Sequence, residues 1–473
     1  MPTLPIPFSP LNKSVDKPSI VFNQDARDGY WMEYLSPDGP QMIWAKRPGL
    51  TLFCDINEGT RIDGVHYWVR QQKLIAVTNG KVFIVEPNGS FSDVTGSGKP
   101  EKLVRPTFTD ILGSAVYFAN SGKIIKVPSS GTTAYIADTS APTSVRFVGA
   151  LNKKLVALND GSEQCDWSEA GDPDNWTGQF ASVEGQPDIV RSMKSSGGYL
   201  YFHGQSSIEV WRDDGITFIR EGQGAIQRGC SAPYSVVDIN GTFFWLDDNR
   251  EVCTMTGFTL GVVSNPALSR YLRSFGTVSD ALGDYLKVEG RHFYVLTFPN
   301  EEKTLVYDIG LKMWYEWGYW DSIAAEYDAW RGFCVTDATD WGKVLVGDRG
   351  ASKIYEVSGT TDAGDTIRTM LVTDQVDRGS PGTWKVCHEL TLRFKRADTA
   401  YTPKTMVINY RDDGATEWSD DIIAPIEAAG KTDLVVNIRR LGKYKTRIWR
   451  FVLSDASQAA MISAVERFEY ATR

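Results

Sequence analysis

Short apolar runs separated by turn-forming residues recur along most of this chain. The recurring unit is an apolar run, a turn containing Asn, Asp, Ser or Gly, and a second run. It reads at KLIAVTNGKVFIVEPNG, AVYFANSGKIIKVP, KLVALNDGSEQCDWSEAG, YLYFHGQSSIEVWRDDG, TFFWLDDNREVCTMTG, HFYVLTFPNEEKTLVYD and KVLVGDRGASKIYEVSG. The first runs centre on Ala76, Tyr117, Val156, Tyr201, Phe244, Tyr294 and Leu345, spaced 41, 39, 45, 43, 50 and 51 residues apart. Asn79-Gly80, Asp160-Gly161 and Ser121-Gly122 supply residues that tolerate positive φ, as tight hairpins require. A repeat of about 40–50 residues built from short strands is the period of propeller blades. One blade cannot cover both its faces, whereas blades stacked around an axis can. The pattern predicts an all-β propeller of six or seven blades, because a terminal unit can belong to another domain. Stacked β-sandwiches would give similar short strands.

Apolar stretches upstream of two units, SVRFVGAL and SAPYSVVDI, are candidate inner strands. One helix is expected within residues 264–283, where Leu268, Tyr271, Leu272 and Phe275 share a face and Ser264 or Asn265 precedes Pro266. The flanks differ from the repeat. Residues 1–60 read as an arm with a few strands, 61–359 as the propeller, and 360–473 as a C-terminal β-sandwich-like domain. In KTRIWRFVLS, period-two alternation puts Arg447, Trp449, Phe451 and Leu453 on one face. Residues 1–30 are Pro-rich and polar, and are expected to order only on assembly.

Composition narrows the function. The 473-residue chain is long enough for two or three domains. Its formal net charge of −9 argues against a general nucleic-acid binder, though not against DNA passing through a pore. Aromatics make up 12% of residues, which suits sheet surfaces and subunit contacts. Cys54, Cys165, Cys230, Cys253, Cys334 and Cys387 form no metal-ligand spacing and are expected to be buried free thiols. The N-terminus lacks a secretory signal pattern, and no stretch approaches the ~20 apolar residues of a membrane span. Synthesis and assembly in a cytoplasm, with no membrane partner, are expected.

Catalytic constellations are sparse. His66, His203, His292 and His388 show no metal-hydrolase spacing. No nucleophile elbow and no phosphate-binding loop is present. A propeller glycosidase would need two opposed carboxylates. Glu184, Asp188, Glu209 and Glu316 are available, but no spacing singles out a pair, and the repeated Ser-x-Asp-x-Gly-x-Thr-Trp box of sialidase-like blades is missing. The acidic run 163–176, with Asp166, Glu169, Asp172 and Asp174, does not follow a calcium-loop order and reads as a polar loop. No catalytic residue, cofactor or metal site is expected. Two stretches are candidate interfaces. The first holds Trp314, Trp317, Trp320 and Trp330, which could equally be core or a sugar platform. The second is a basic patch of Arg439, Arg440, Lys443, Lys445, Arg447 and Arg450, suited to phosphate or an acidic partner, or else a solvated hairpin.

The segment GQPDIVRSM…YLYFHGQSSIEVW resembles the tail hub, or nozzle, proteins of short-tailed bacteriophages (podoviruses), also called packaged-DNA stabilisation proteins. Gln186, Pro187 and Asp188 match a first motif, and Gly204, Ser207, Ile208, Glu209 and Trp211 a second. The preceding DGSEQCDWSEAGDPDNWTGQFA and the later VVSNPALSRYLRS and TLVYDIGLKMWYEW are also similar, so the likeness covers roughly residues 145–320. The resemblance implies a structural virion protein that forms a ring, usually a homohexamer, below the portal and its adaptor. It implies contacts with tail fibres or spikes and with a needle or plug, and a lumen passing double-stranded DNA without sequence-specific binding. A phage propeller that binds or cleaves host carbohydrate is the alternative.

Overall fold

A computed structural model describes residues 3–6, 12–13, 23–24, 26–36, 39–183, 185, 188–222, 225–396, 405–426, 433–456 and 459–471. Six antiparallel units of four strands follow one another along the chain, and a seventh is assembled from two distant segments. Their innermost strands are Gly64–Trp68, Thr107–Ile111, Val145–Leu151, Val190–Ser196, Val237–Ile239, Leu282–Val288 and Gly332–Ala338. These surround a common axial cavity to which every one of the seven contributes. The fold is therefore a β-propeller, with blades numbered 1 to 7 in the order of those inner strands.

The recurring hairpins of the sequence are the two middle strands of each blade. In blade 2, all five residues of Ala115–Ala119 are buried, because neighbouring blades cover both faces. A strand buried on both faces reads as a continuous apolar run. Tight turns carry the expected backbone: Asn79 and Gly80 have φ of 48° and 71°, and Asn240-Gly241 repeats this at 54° and 81°. These are the positive-φ pairs that two-residue hairpins need.

Blade 7 has three strands of its own, Gly332–Ala338, Lys343–Asp348 and Lys353–Val357. Its outer strand is Leu50–Asp55, from upstream of blade 1, with Lys353 opposite Asp55 and Val357 opposite Leu50. The expected boundary at residue 60 thus cuts a strand of the ring away from its blade. Tyr67 ties blade 1 to blade 7 from the other side, its N–H donating to Thr336 Oγ1 at 3.2 Å and its hydroxyl to Asp340 at 3.0 Å. Ile62, Val65, Cys54, Leu345 and Ile354 fill the space between the two blades.

The expected helix is shorter than its sequence pattern. It spans Pro266–Arg273, and the Asn265 side chain accepts the Leu268 N–H at its start. Leu268 and Leu272 pack between blades 5 and 6, and by Leu282 the chain is already in the inner strand of blade 6.

The outer strand of blade 6, Met313–Asp321, continues into a ten-stranded sheet. Ala26–Arg27 pairs beside it, followed by Arg368–Val372, Arg447–Ser454, Thr405–Asp412 and Ile422–Pro425. A second sheet centres on Lys385–Arg396 and Ala459–Tyr470 and includes the hairpin Gly29–Ser36 and Gly39–Lys46. Leu390, Leu392 and Phe394 of the second sheet share one apolar cluster with Ile408, Trp449 and Phe451 of the first, and with Trp317 of blade 6. Of the expected late-ordering arm, Thr3–Pro5 pairs with Val465, Glu466 and Arg467, while residues 7–11 and 14–22 lie outside the described set. All six cysteines are buried free thiols.

Leu50 is 1% exposed and Leu52 50% exposed, although both lie in the closing strand. Leu50→Ala is expected to cost about 2–5 kcal/mol and to lower the urea midpoint. Leu52→Ala should change it by about 0.5 kcal/mol or less.

Candidate functional site

The closing strand is held by a buried charge network. The Arg47 guanidinium lies between two carboxylates, with Nε on Asp28 Oδ1 at 2.6 Å and the two Nη atoms on Asp362 at 2.9 and 2.6 Å. It also donates to the Gly318 carbonyl at 2.7 Å. Asp28 in turn accepts the Gly318 N–H at 2.9 Å. All three charged groups are buried. Burial pushes the Asp28 carboxyl up to about 6 despite Arg47 beside it. Asp362 lies opposite Leu50 and Gly318 lies in blade 6, so one cation joins the arm, the last two blades and the start of the C-terminal region.

The candidate interface residues separate into two environments. Trp314, Trp317 and Trp330 are buried: the Trp314 indole donates to the Val263 carbonyl and that of Trp317 to Gly29. They are core residues of this chain, and a partner could not reach them. Trp320 is half-buried, with the Arg368 guanidinium 3.8 Å over its ring. In the basic patch, Arg447 is fully buried, paired with Asp412 at 2.6 and 2.7 Å and packed on the Tyr410 and Tyr444 rings. Arg450 bonds to Asn409 and lies over Trp418. The alternation of KTRIWRFVLS already placed Arg447 on the apolar face, so it belongs with the core. Arg439, Arg440 and Lys443 are exposed and Lys445 is half-buried, with Arg439 paired to Glu389 at 3.0 Å. The two lysines flank the Trp384 ring, which is 40% exposed, at 5.3 and 5.1 Å.

The carboxylates considered for chemistry hold structural partners. Asp188 accepts the N–H groups of Ser206 and Ser207 and the Ser207 hydroxyl. A Cβ at Gly204 would lie 2.4 Å from Asp188 Oδ2, which explains the glycine of that motif. Glu209 accepts the Trp211 indole N–H, and Glu316 is buried 3.5 Å from Arg27. Glu184, Gln186 and Pro187 lie outside the described residues. In the acidic loop, Asp166 accepts from Asn159 and Gln164, Glu169 from Thr177 and Gln179, and Asp174 from Tyr117 and Lys126. The loop closes on itself and on blade 2.

The axial cavity, about 620 Å³, is polar. Arg105 enters it from just before the inner strand of blade 2 and makes a bidentate pair with Asp284 of blade 6. Asp284 also accepts the Val335 N–H of blade 7 at 3.1 Å. Lys194 of blade 4 faces the same space, and burial together with the Arg105 charge pushes its ammonium down to about 8. His66 stacks on Phe108 at 5.2 Å, and burial lowers it to about 4. The sequence reading missed Arg105, Lys194 and Asp284. The available signal was an ionisable residue inside each of two inner strands, Lys194 in VRSMKSS and Asp284 in LGDYLKV.

The family model described as bacteriophage P22 Gp10, β-propeller, matches residues 36–362. No curated protein matches the sequence. Among solved structures, the extracellular domain of a putative hybrid two-component system from B. thetaiotaomicron aligns with a TM-score of 0.45 at 9% identity, over 80% of this chain and 47% of that one. The chain thus spans about half the length of that protein. Virginiamycin B lyase from Staphylococcus aureus aligns with a TM-score of 0.45 at 10% identity, over 65% of this chain and 98% of that one. The Neurospora crassa Pan2 WD40 domain gives 0.40 at 8% identity, over 66% and 94%.

Burial also predicts an acid response. His203 is buried between the Phe243 and Trp245 rings, and desolvation lowers it to about 3. Below its unfolded value of about 6.5, the unfolded chain binds the proton that the folded chain refuses, so stability falls with pH. Asp28, raised to about 6, acts in the opposite direction, so a difference measurement is needed. Relative to His203→Phe, the parent should lose about 1.4 kcal/mol of unfolding free energy per pH unit below about 6.5. Parallel stability curves for the two proteins would contradict this.

Proposed function

Because the chain belongs to the bacteriophage P22 Gp10 β-propeller family, we propose that it is a structural subunit of a short phage tail, its hub or nozzle. In this reading the subunits form a ring, most simply a homohexamer, that continues the DNA channel below the portal and its adaptor. The ring helps retain packaged DNA, meets a needle or plug, and anchors tail fibres or spikes. The observation that carries the reading is the family match, which runs from the arm through the propeller to residue 362.

The physical features of the chain support such a role. A wheel whose last blade is completed from upstream resists opening at its seam, as a channel wall under load requires. The cations Arg439, Arg440, Lys443 and Lys445, with Trp384 among them, suit an acidic neighbour. An aromatic between cations is a composition typical of interface anchors. Each subunit brings a formal charge of −9, and an acidic wall would let DNA slide rather than bind.

Mass measurement in solution, with and without the adaptor protein of the same phage, tests this. A ring should form when the adaptor is present. Lys443→Glu combined with Lys445→Glu should weaken ring formation at least tenfold while leaving the unfolding midpoint unchanged. A chain that stays monomeric with adaptor and depolymerises host polysaccharide would replace this reading.

A further inference from the structure

The centre of the propeller holds a charge arrangement that its structural role does not use. At the level where Asp284 meets Val335, the cavity contains Arg105, Lys194 and Asp284. Asp284 spends its oxygens on Arg105 and on the Val335 N–H. Lys194 makes no ion pair or side-chain hydrogen bond among the described residues. The other carboxylates lining the cavity, Asp238 and Asp337, make no ion pair with Lys194, and Asp238 acts on it only at longer range. Asp238 is partly engaged, its Oδ1 accepting the Gly241 N–H.

Lys194 is half-buried, and an ammonium withdrawn from water without a carboxylate in ion-pair contact is costly. Its depressed proton affinity, caused by burial and by Arg105, is the expected response. Two hydroxyls that line the cavity have no hydrogen-bond partner among the described residues: that of Tyr234, and that of Ser195, which faces Gly149 of blade 3. The cavity volume of about 620 Å³ is within the usual range for small-ligand sites.

We infer that the axial cavity is a binding site for a small oxyanion, a carboxylate or phosphate group, whose charge is received by Lys194 with hydroxyl support from Tyr234. Arg105 contributes a second positive charge without leaving Asp284. The bound anion supplies a counter-charge that Lys194 lacks within ion-pair distance, and so ties blade 4 to Tyr234 at the start of blade 5. This inference does not depend on the proposed tail role, since it concerns the folded chain alone.

The test uses the full chain, with inorganic phosphate and malonate as separate probes, read by thermal unfolding and by titration calorimetry in a buffer of constant ionic strength. Either probe, or both, should raise the unfolding midpoint saturably by a few degrees, because a ligand that binds only the folded state stabilises it. A response to phosphate alone assigns a phosphate ligand, and a response to malonate alone a carboxylate. Lys194→Met should be at least as stable as the parent without anion and should lose tenfold or more in affinity. Lys194→Arg should retain binding, and it decides the question if the Met variant gives no cooperative transition. Equal anion shifts in parent and Lys194→Met would mean general salt stabilisation and overturn the inference. So would the absence of saturable binding to the parent by either probe.

Discussion

A wheel of sheets has no natural last blade, and this chain ends its wheel with a strand made before the first one. Without Leu50–Asp55, blade 7 would expose the edge of Lys353–Val357, and the gap beside blade 1 would open. Exposed strand edges invite non-native pairing. Arg47 fixes the position of that strand through Asp28, Asp362 and the Gly318 carbonyl, all out of water. A buried cation of this sort contributes less net stability than its contacts suggest, but losing one partner costs several kcal/mol. Its consequence is geometric: the closing strand has one register and one place to sit.

The same joint explains why the C-terminal sheets are not a loose appendage. Ala26–Arg27 lies between blade 6 and Arg368–Val372, so the arm is the strand through which the propeller sheet extends outward. Trp317 and Trp330, Leu390 and Phe394, and Trp449 and Phe451 then share one apolar layer. Arm, wheel and flanking sheets are therefore coupled by backbone pairing as well as by packing.

The hairpin repeat was legible because strands such as Ala115–Ala119 are covered on both faces and leave uninterrupted apolar runs. Inner strands were harder to read, since they line a polar axis and carry ionisable residues such as Lys194 and Asp284. Ring closure was not legible, because the partners Leu50 and Val357 are about 300 residues apart and nothing local marks them as a pair. The dense tryptophans signalled importance but not location: three stabilise the core, while Trp320 stays near the surface under Arg368. Charge grouped Arg447 with Lys443 and Lys445, but the strand Arg447–Ser454 carries Arg447 into the core while the two lysines precede it.

Native-state hydrogen exchange on the full chain tests ring closure most directly. If Leu50–Asp55 is an integral strand of blade 7, its amides should exchange with the same opening free energy as those of Lys343–Asp348, the central strand of that blade. Exchange of the closing strand orders of magnitude faster, with Lys343–Asp348 still protected, would show a wheel that holds together without it and would contradict the account.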